Sequence, residues 1–210
     1  MSGVKERPII FSGPMVQAIL TGRKDQTRRV VKPENLNHNA GCIRKWLDAG
    51  ELGEHLLRLC PYGKPGSRLW VKEAIRRGDW EARPDFYHGG IQYAADGEWM
   101  WDVEGPCQWV WPKRKMLPAM FMNRGMSRIT LELTAVRVER VQDISEADAE
   151  AEGVEPIGVP VIDGGTGEHL GDQPSYRYGF SALWDSLNAR RGYPFSSNAW
   201  VWVLGFRRLT

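Results

Sequence analysis

Apolar positions near the N-terminus recur at helical spacing. Met15, Val16, Ile19 and Leu20 follow a Ser12 cap and a Pro14 in the first turn, and Gly22 closes the run, so a short helix is predicted there. RVVK at 29–32 then reads as a strand stopped by Pro33, and a helix is expected from about Cys42 to Leu59. After the turn PYGKPGS, residues 67–74 (SRLWVKEA) alternate Leu69 and Val71 against Arg68, Trp70 and Lys72, the period of a strand.

Between about 75 and 125 the periodicity collapses. Trp80, Trp99, Trp101, Trp109 and Trp111 cluster there among Gly, Pro, Asp and Glu, which marks an insertion. The W-x-W spacings place each pair on one side of a strand, with WDVEGPCQW as a hairpin between them. Such tryptophans serve either as the core of a small sub-domain or as a stacking wall for a planar ligand.

The strand signal at 127–141 (SRITLELTAVRVERV) is the clearest in the chain. Ile129, Leu131 and Leu133 share one face, but after Thr134-Ala135 the apolar positions change parity to Val136 and Val138, which calls for a bulge or sharp bend that curls a sheet. ISEADAEAEG then predicts a helix capped by Ser145, with Asp148 at the capping-box position and Gly153 as its stop. Residues 154–174 are Gly- and Pro-rich and acidic, and are expected to be a mobile loop. A helix over 176–188 carries Tyr176, Phe180, Leu183, Trp184 and Leu187 on one face, and NAWVWVLGFRRL closes as a strand. The order predicts an α+β fold: one domain spanning 1–210, a curled sheet with flanking helices, and the Trp-rich insertion.

Composition narrows the classes. A length of 210 residues suffices to bury a core without disulfides, and three widely spaced cysteines (Cys42, Cys60, Cys107) encode neither a disulfide framework nor a zinc knuckle. Free thiols in a reducing cytoplasm are the expectation, with no export signal, membrane span, metal or cofactor. A net charge of +2 argues against a large non-specific nucleic-acid binder. The charge is unevenly placed, however: residues 1–45 hold nine Lys or Arg against three acids, whereas 142–175 hold nine acids and no Lys or Arg. These are either solvated faces or two segments that attract one another.

The chemistry concentrates in GRKDQTRR at 22–29. A threonine hydroxyl needs a base to become a nucleophile, and a lysine is that base only when its pKa is lowered by burial or by cations such as Arg23, Arg28 and Arg29. Lys24 and Thr27, three apart, share a face on a helical turn but not in an extended strand, so the motif is expected to be a turn. The alternative is that these cations merely complement the end of the preceding helix. Glu152 supplies a third group: next to Gly153 it sits where the helix dipole disfavours a carboxylate, and a nearby lysine would explain it. Asp143, Glu146, Asp148 and Glu150 are expected to be solvated or capping.

Together G-R-K-x-x-T-x-R at Gly22 to Arg29, GSRLWVKE at 66–73, SRITLELTAVRVERVQDISEADAEAEGV at 127–154 and LWDSLN…NAWVWVLGFRR resemble the ASCH-domain family, closest to its longer phage and prophage members. The likeness covers about two thirds of the chain and leaves the insertion and the 154–174 segment without a counterpart. It implies a PUA-like β-barrel with a cleft for RNA or a nucleoside. It also implies a relation to small bacterial amidohydrolases that remove the acetyl group from N4-acetylcytidine with a Lys, a Thr and a Glu. Those roles fall on Lys24, Thr27 and Glu152, and the motif's last arginine on Arg29. The resemblance places Trp70, Ser127 and Arg128 at the starts of strands beside the motif as substrate-binding residues, although Trp70 serves equally as core.

On this reading the partner is a modified nucleoside or RNA. A module that binds RNA or a modified base without cleaving it would use Lys24 and Arg29 to grip phosphate, and Glu152 works against that; a third possibility is an RNA-cleaving enzyme. The histidines His38, His55, His88 and His169 lack ligand spacing, GGTG at 164–167 lacks the flanking strand and helix of a phosphate loop, and MLPAMFM at 116–122 is expected to be core rather than a lid.

Overall fold

A computed structural model of the chain describes residues 6–35, 39–50, 54–77, 90–100 and 116–209. Its elements are β1 (Glu6–Ile10), α1 (Gly13–Leu20), β2 (Gln26–Val30), α2 (Ala40–Asp48), α3 (Glu54–Leu57), β3 (Arg68–Lys72), β4 (Ile75–Arg77), β5 (Ile91–Tyr93), β6 (Trp99–Met100), β7 (Met116–Leu117), β8 (Thr130–Arg140), α4 (Glu146–Ala151), β9 (Ile157–Ile162), β10 (His169–Ser175), α5 (Tyr176–Asn188) and β11 (Trp200–Arg208). This is the expected mixture of helices and strands. Among the described residues no strand pairing closes a sheet into a barrel.

The chain divides into two compact units. The first comprises Met1–Thr21, Gly66–Glu132 and Arg207–Thr210. Here β1 runs parallel to β3, and β3 is antiparallel to the first residues of β8, with Leu69 opposite Leu131. Leu69, Val71, Ile129 and Leu131 are buried, as the alternation predicts, and Ile9 of β1 is buried as well. A smaller antiparallel sheet, β6-β5-β4-β7, occupies part of the stretch where the sequence shows no period, around a core of Ile75, Ile91, Tyr93, Met122 and Met126. The methionine run therefore splits: Met122 is core, while Met116, Met120 and Phe121 are exposed. Trp99 lies half-buried in β6; Trp80, Trp101, Trp109 and Trp111, the 101–109 hairpin, Cys107, His38 and His88 fall outside the described residues.

The second unit comprises Gly22–Pro65 and Leu133–Phe206. Its strands follow the order β8-β11-β2, with β11 antiparallel to β2 from Val201↔Val30 to Gly205↔Gln26. The parity change in β8 is visible as two successive exposed residues, Thr134 and Ala135, between buried Leu133 and buried Val138. Gly205 of β11 makes room for it: a Cβ there would lie 3.1 Å from Thr134 Oγ1. Val201 and Val203 join Val141, Ile144, Ala149, Val154, Phe180 and Trp184 in one cluster, so α4 and α5 share a core with β11. Leu187, expected on the buried face of α5, is exposed beyond the reach of that cluster.

The starts of α4 and α5 are secured by side chains, whereas Ser12, at the N-cap of α1 as expected, makes no side-chain cap bond. Ser145 accepts from the Asp148 N–H and so caps α4 as predicted. Glu146 accepts from the N–H groups of Tyr176 and Arg177 and from the Ser175 hydroxyl, so a carboxylate of α4 stabilises the start of α5. Residues 157–175 correct the expected mobile loop: β9 and β10 form an antiparallel hairpin whose turn is fixed by Asp163 Oδ1, which accepts from Gly165 and Thr166. The hairpin's start is pressed against α5, where a Cβ on Gly179 would stand 2.3 Å from the Glu155 carbonyl oxygen. Gly179→Ala should therefore lower stability by about 2 kcal/mol despite alanine's better helix propensity. Thermal unfolding of the variant checks this, and an unchanged or raised melting temperature would contradict the close approach.

Candidate active site

Gly22 adopts φ 74°, a conformation glycine tolerates and other residues resist, and turns the chain out of α1. Lys24 then makes an isolated antiparallel bridge with Glu152, Asp25 N–H donates to the Ala151 carbonyl, and the Phe206 N–H donates to the Asp25 carbonyl. Backbone bonds thus fix the motif against both the end of α4 and strand β11. From Gln26 onward it is strand, beginning three residues before the expected RVVK segment. Local sequence does not favour a strand of charged residues; pairing with β11 supplies the ladder that overrides it.

Consequently the expectation that Lys24 and Thr27 lie on one helical turn is corrected. Thr27 sits within β2 opposite Leu204, on the face alternate to Gln26 and Arg28. Residues 24, 26 and 28 follow the period of two, and all three side chains reach the same helix: Lys24 to Glu152, Gln26 to Asp148, Arg28 to both.

The Lys24 ammonium donates to the Glu152 backbone oxygen and to Oε2, each at 2.7 Å, and its side chain has 0% exposure against 4% for Glu152. Glu152 is the C-cap of α4, so the lysine satisfies a helix-terminal carbonyl and the carboxylate together. This removes the anomaly of an acid at that end. Burial pushes the Lys24 ammonium below the ordinary lysine range; Glu152 opposes the shift, while Arg29 and Arg28 add to it.

Arg28 extends the pair into a network. Its guanidinium donates to Glu139 Oε1 from Nε (3.0 Å) and Nη2 (2.5 Å), to Asp148 Oδ2 (3.2 Å) and to Glu152 Oε1 (3.3 Å). Arg137 donates to Glu139 Oε2, Gln26 Oε1 and Asp148 Oδ2. Three cations (Lys24, Arg28, Arg137) therefore face three carboxylates (Glu139, Asp148, Glu152). The Asp148 carboxylate is held by Arg28, Arg137 and the Gln26 amide rather than closing a capping box.

Of the other residues singled out in the sequence, Arg29 is half-buried in β2, and burial, opposed by Tyr62 and Glu152, depresses its pKa. Trp70, Ser127 and Arg128 belong to the first unit. Trp70 is half-buried in β3 with the Lys72 ammonium 5.4 Å from its ring centre. The Ser127 hydroxyl donates to the Val71 carbonyl. Arg128 forks onto both oxygens of buried Glu73 and both of Asp96, and lies 3.9 Å from the Tyr93 ring centre. These are the bonds of a structural clamp. The structure thus brings Lys24 and Glu152 into contact across 128 residues of sequence and adds Arg28, Gln26, Glu139, Asp148 and Arg137, which sequence reasoning did not assign to the site. The signals for Gln26, Arg28 and Asp148 were the alternation 24/26/28 and the four-residue spacing of Asp148 and Glu152, whereas Arg137 and Glu139 of β8 gave none.

Among the described residues no group of three or more His, Cys, Asp or Glu side chains is placed to hold a metal ion, and no helix is long and apolar enough to cross a membrane. Comparison with models of known families, with curated proteins and with solved structures returned no match.

The network predicts an asymmetry. Glu152→Gln leaves the buried ammonium without its carboxylate and should cost about 3–5 kcal/mol, whereas Lys24→Met leaves Glu152 still paired with Arg28 and should cost about 1–3 kcal/mol. Denaturant midpoints of the two variants decide the order; equal or reversed costs would mean that Arg28 does not share the carboxylate.

Proposed function

We propose that the chain is an amidohydrolase that removes an acyl group from the exocyclic N4 of cytidine or a related modified nucleoside. The observation that carries the proposal is the buried Lys24–Glu152 pair. Hydrophobic residues of similar volume would stabilise the interior as well or better, so an ion pair held there, with its lysine driven toward the neutral form, is suited to proton transfer. The resemblance to the ASCH-domain family supplies the reaction class and the nucleoside or RNA partner. The reading includes a curled sheet of PUA type, supported by the bend implied at Thr134-Ala135, and a reducing cytoplasm, which suits the thiols Cys42 and Cys60.

In the proposed chemistry the neutral Lys24 amine accepts the Thr27 proton while Thr27 Oγ1 bonds to the acyl carbon. The C–N4 bond then breaks, and the proton passes from Lys24, oriented by Glu152, to the departing amine. Water hydrolyses the resulting threonyl ester and releases the acid. Backbone N–H groups near Gly22–Asp25 or the Arg29 guanidinium are the donors considered for the oxyanion. Lys24 is wholly shielded and Thr27 is 2% exposed, with Thr27 on the alternate face of β2, so this scheme requires the Thr27 hydroxyl and the Lys24 amine, still oriented by Glu152, to be brought within reach of each other when substrate binds.

Two measurements test the reading. Incubation with N4-acetylcytidine should release cytidine, and Lys24→Ala, Thr27→Ala and Glu152→Ala, each verified as folded, should lose activity by about 10²-fold or more. Full activity in Thr27→Ala would exclude the nucleophile. Because the base must be neutral, kcat/KM should rise with pH through an acid limb lying below the ordinary lysine range. A profile flat through that region would separate the lysine's charge state from the chemistry.

A further inference from the structure

Arg28 stands between Thr27 and Arg29 in the motif and has no role among the residues on which the resemblance places the chemistry. Its side chain is nonetheless completely shielded and touches three carboxylates. Asp148 and Glu152 are four apart on α4 and share a face, so the Arg28 fork spans that face from β2 while Glu139 of β8 fixes the guanidinium from a third element. The two oxygens of Glu152 are thereby divided: Oε1 to Arg28 and Oε2 to Lys24.

We infer that Arg28 is a positioning residue that holds Glu152 through Oε1 and allows Lys24 to release its proton while Glu152 remains a carboxylate. The reason is charge accounting in a shielded place. When the Lys24 ammonium becomes an amine, an unpaired buried carboxylate would be left behind, at a cost large enough to keep the proton on the pair. With Arg28 in place the carboxylate keeps a cationic partner, and only the Lys24–Oε2 bond changes character. The charges facing the pair are Arg28 and Arg29 from β2, Asp148 from α4, and Glu139 and Arg137 from β8 through Arg28. Fixed by Glu139 and Asp148, Arg28 does not follow the lysine when it moves. This inference rests on the reading of Lys24 as the base, but its test does not need turnover.

The test is a pH titration of the Lys24 side-chain nitrogen by NMR on the full chain, in wild type, Arg28→Met and Arg28→Lys, with kcat and KM for N4-acetylcytidine measured in parallel. Loss of the cation in Arg28→Met should raise the Lys24 titration by about one pH unit or more, and the charge-preserving Arg28→Lys should return it most of the way. Turnover, where present, should fall in kcat at neutral pH with KM little changed and recover at higher pH. A folded Arg28→Met whose Lys24 titrates as in wild type overturns the inference. Should Arg28→Met fail to fold, wild type decides: the Arg28 guanidinium resonances should move as Lys24 titrates, with the Glu152 carboxyl carbon staying at its ionised position, and unresponsive Arg28 signals overturn the proposal. Failure of wild type to release cytidine would remove the amidohydrolase reading instead, while the titrations still decide what Arg28 does.

Discussion

Two shielded cations, Lys24 and Arg28, lie on one strand face, and the second unit is arranged so that α4 and β8 bring them carboxylates. An isolated ammonium or guanidinium in such a place would be costly enough to break the strand pairing or force proton loss. Glu152 and Asp148 come from one turn-spaced face of α4, and Glu139 comes from β8. Neutralisation thus dictates where α4 must sit relative to β2. The backbone bridge between Lys24 and Glu152 fixes the same placement independently.

Around this polar knot the apolar packing is continuous. Ala149 on α4 shares a core with Phe180 and Trp184 of α5 and with Val201 and Val203 of β11, and Glu146 caps α5 from the start of the same helix. A six-residue helix would be marginal alone; here one face meets the core and another meets the cations. The close approach of Gly179 to the Glu155 carbonyl then ties the β9–β10 hairpin to this assembly. In the first unit Arg128 has an analogous local role, since it bridges Glu73 and Asp96 beneath the Tyr93 ring.

Much of the architecture was legible where one force dominates locally. Ser145 and Gly153 bracket α4, the Tyr176–Asn188 helix follows from a clean 3.6-residue period, and the parity change in β8 appears as the exposed pair Thr134-Ala135. Glu152 was legible as an acid in the wrong place for its helix, and the lysine that explains it lies against it. What was not legible depended on long-range pairing. Gln26–Arg28 become strand because β11 offers them a ladder, and Ile157–Ser175 become a hairpin because two Gly- and Pro-bearing segments pair with each other. Arg28 read as one more cation near the lysine because its partners lie 111 to 124 residues away. Only the fold shows that residues 24, 26 and 28 form one row.

The central claim is that the Lys24 ammonium and the Glu152 carboxylate are energetically coupled inside the second unit. A double-mutant cycle of Lys24→Met and Glu152→Gln, read by equilibrium unfolding, measures that coupling directly. The account predicts that the double variant is more stable than the sum of the two single losses implies, by about 2 kcal/mol or more, because removing both partners leaves neither charge stranded. Strict additivity would contradict it and show that the two groups do not depend on one another.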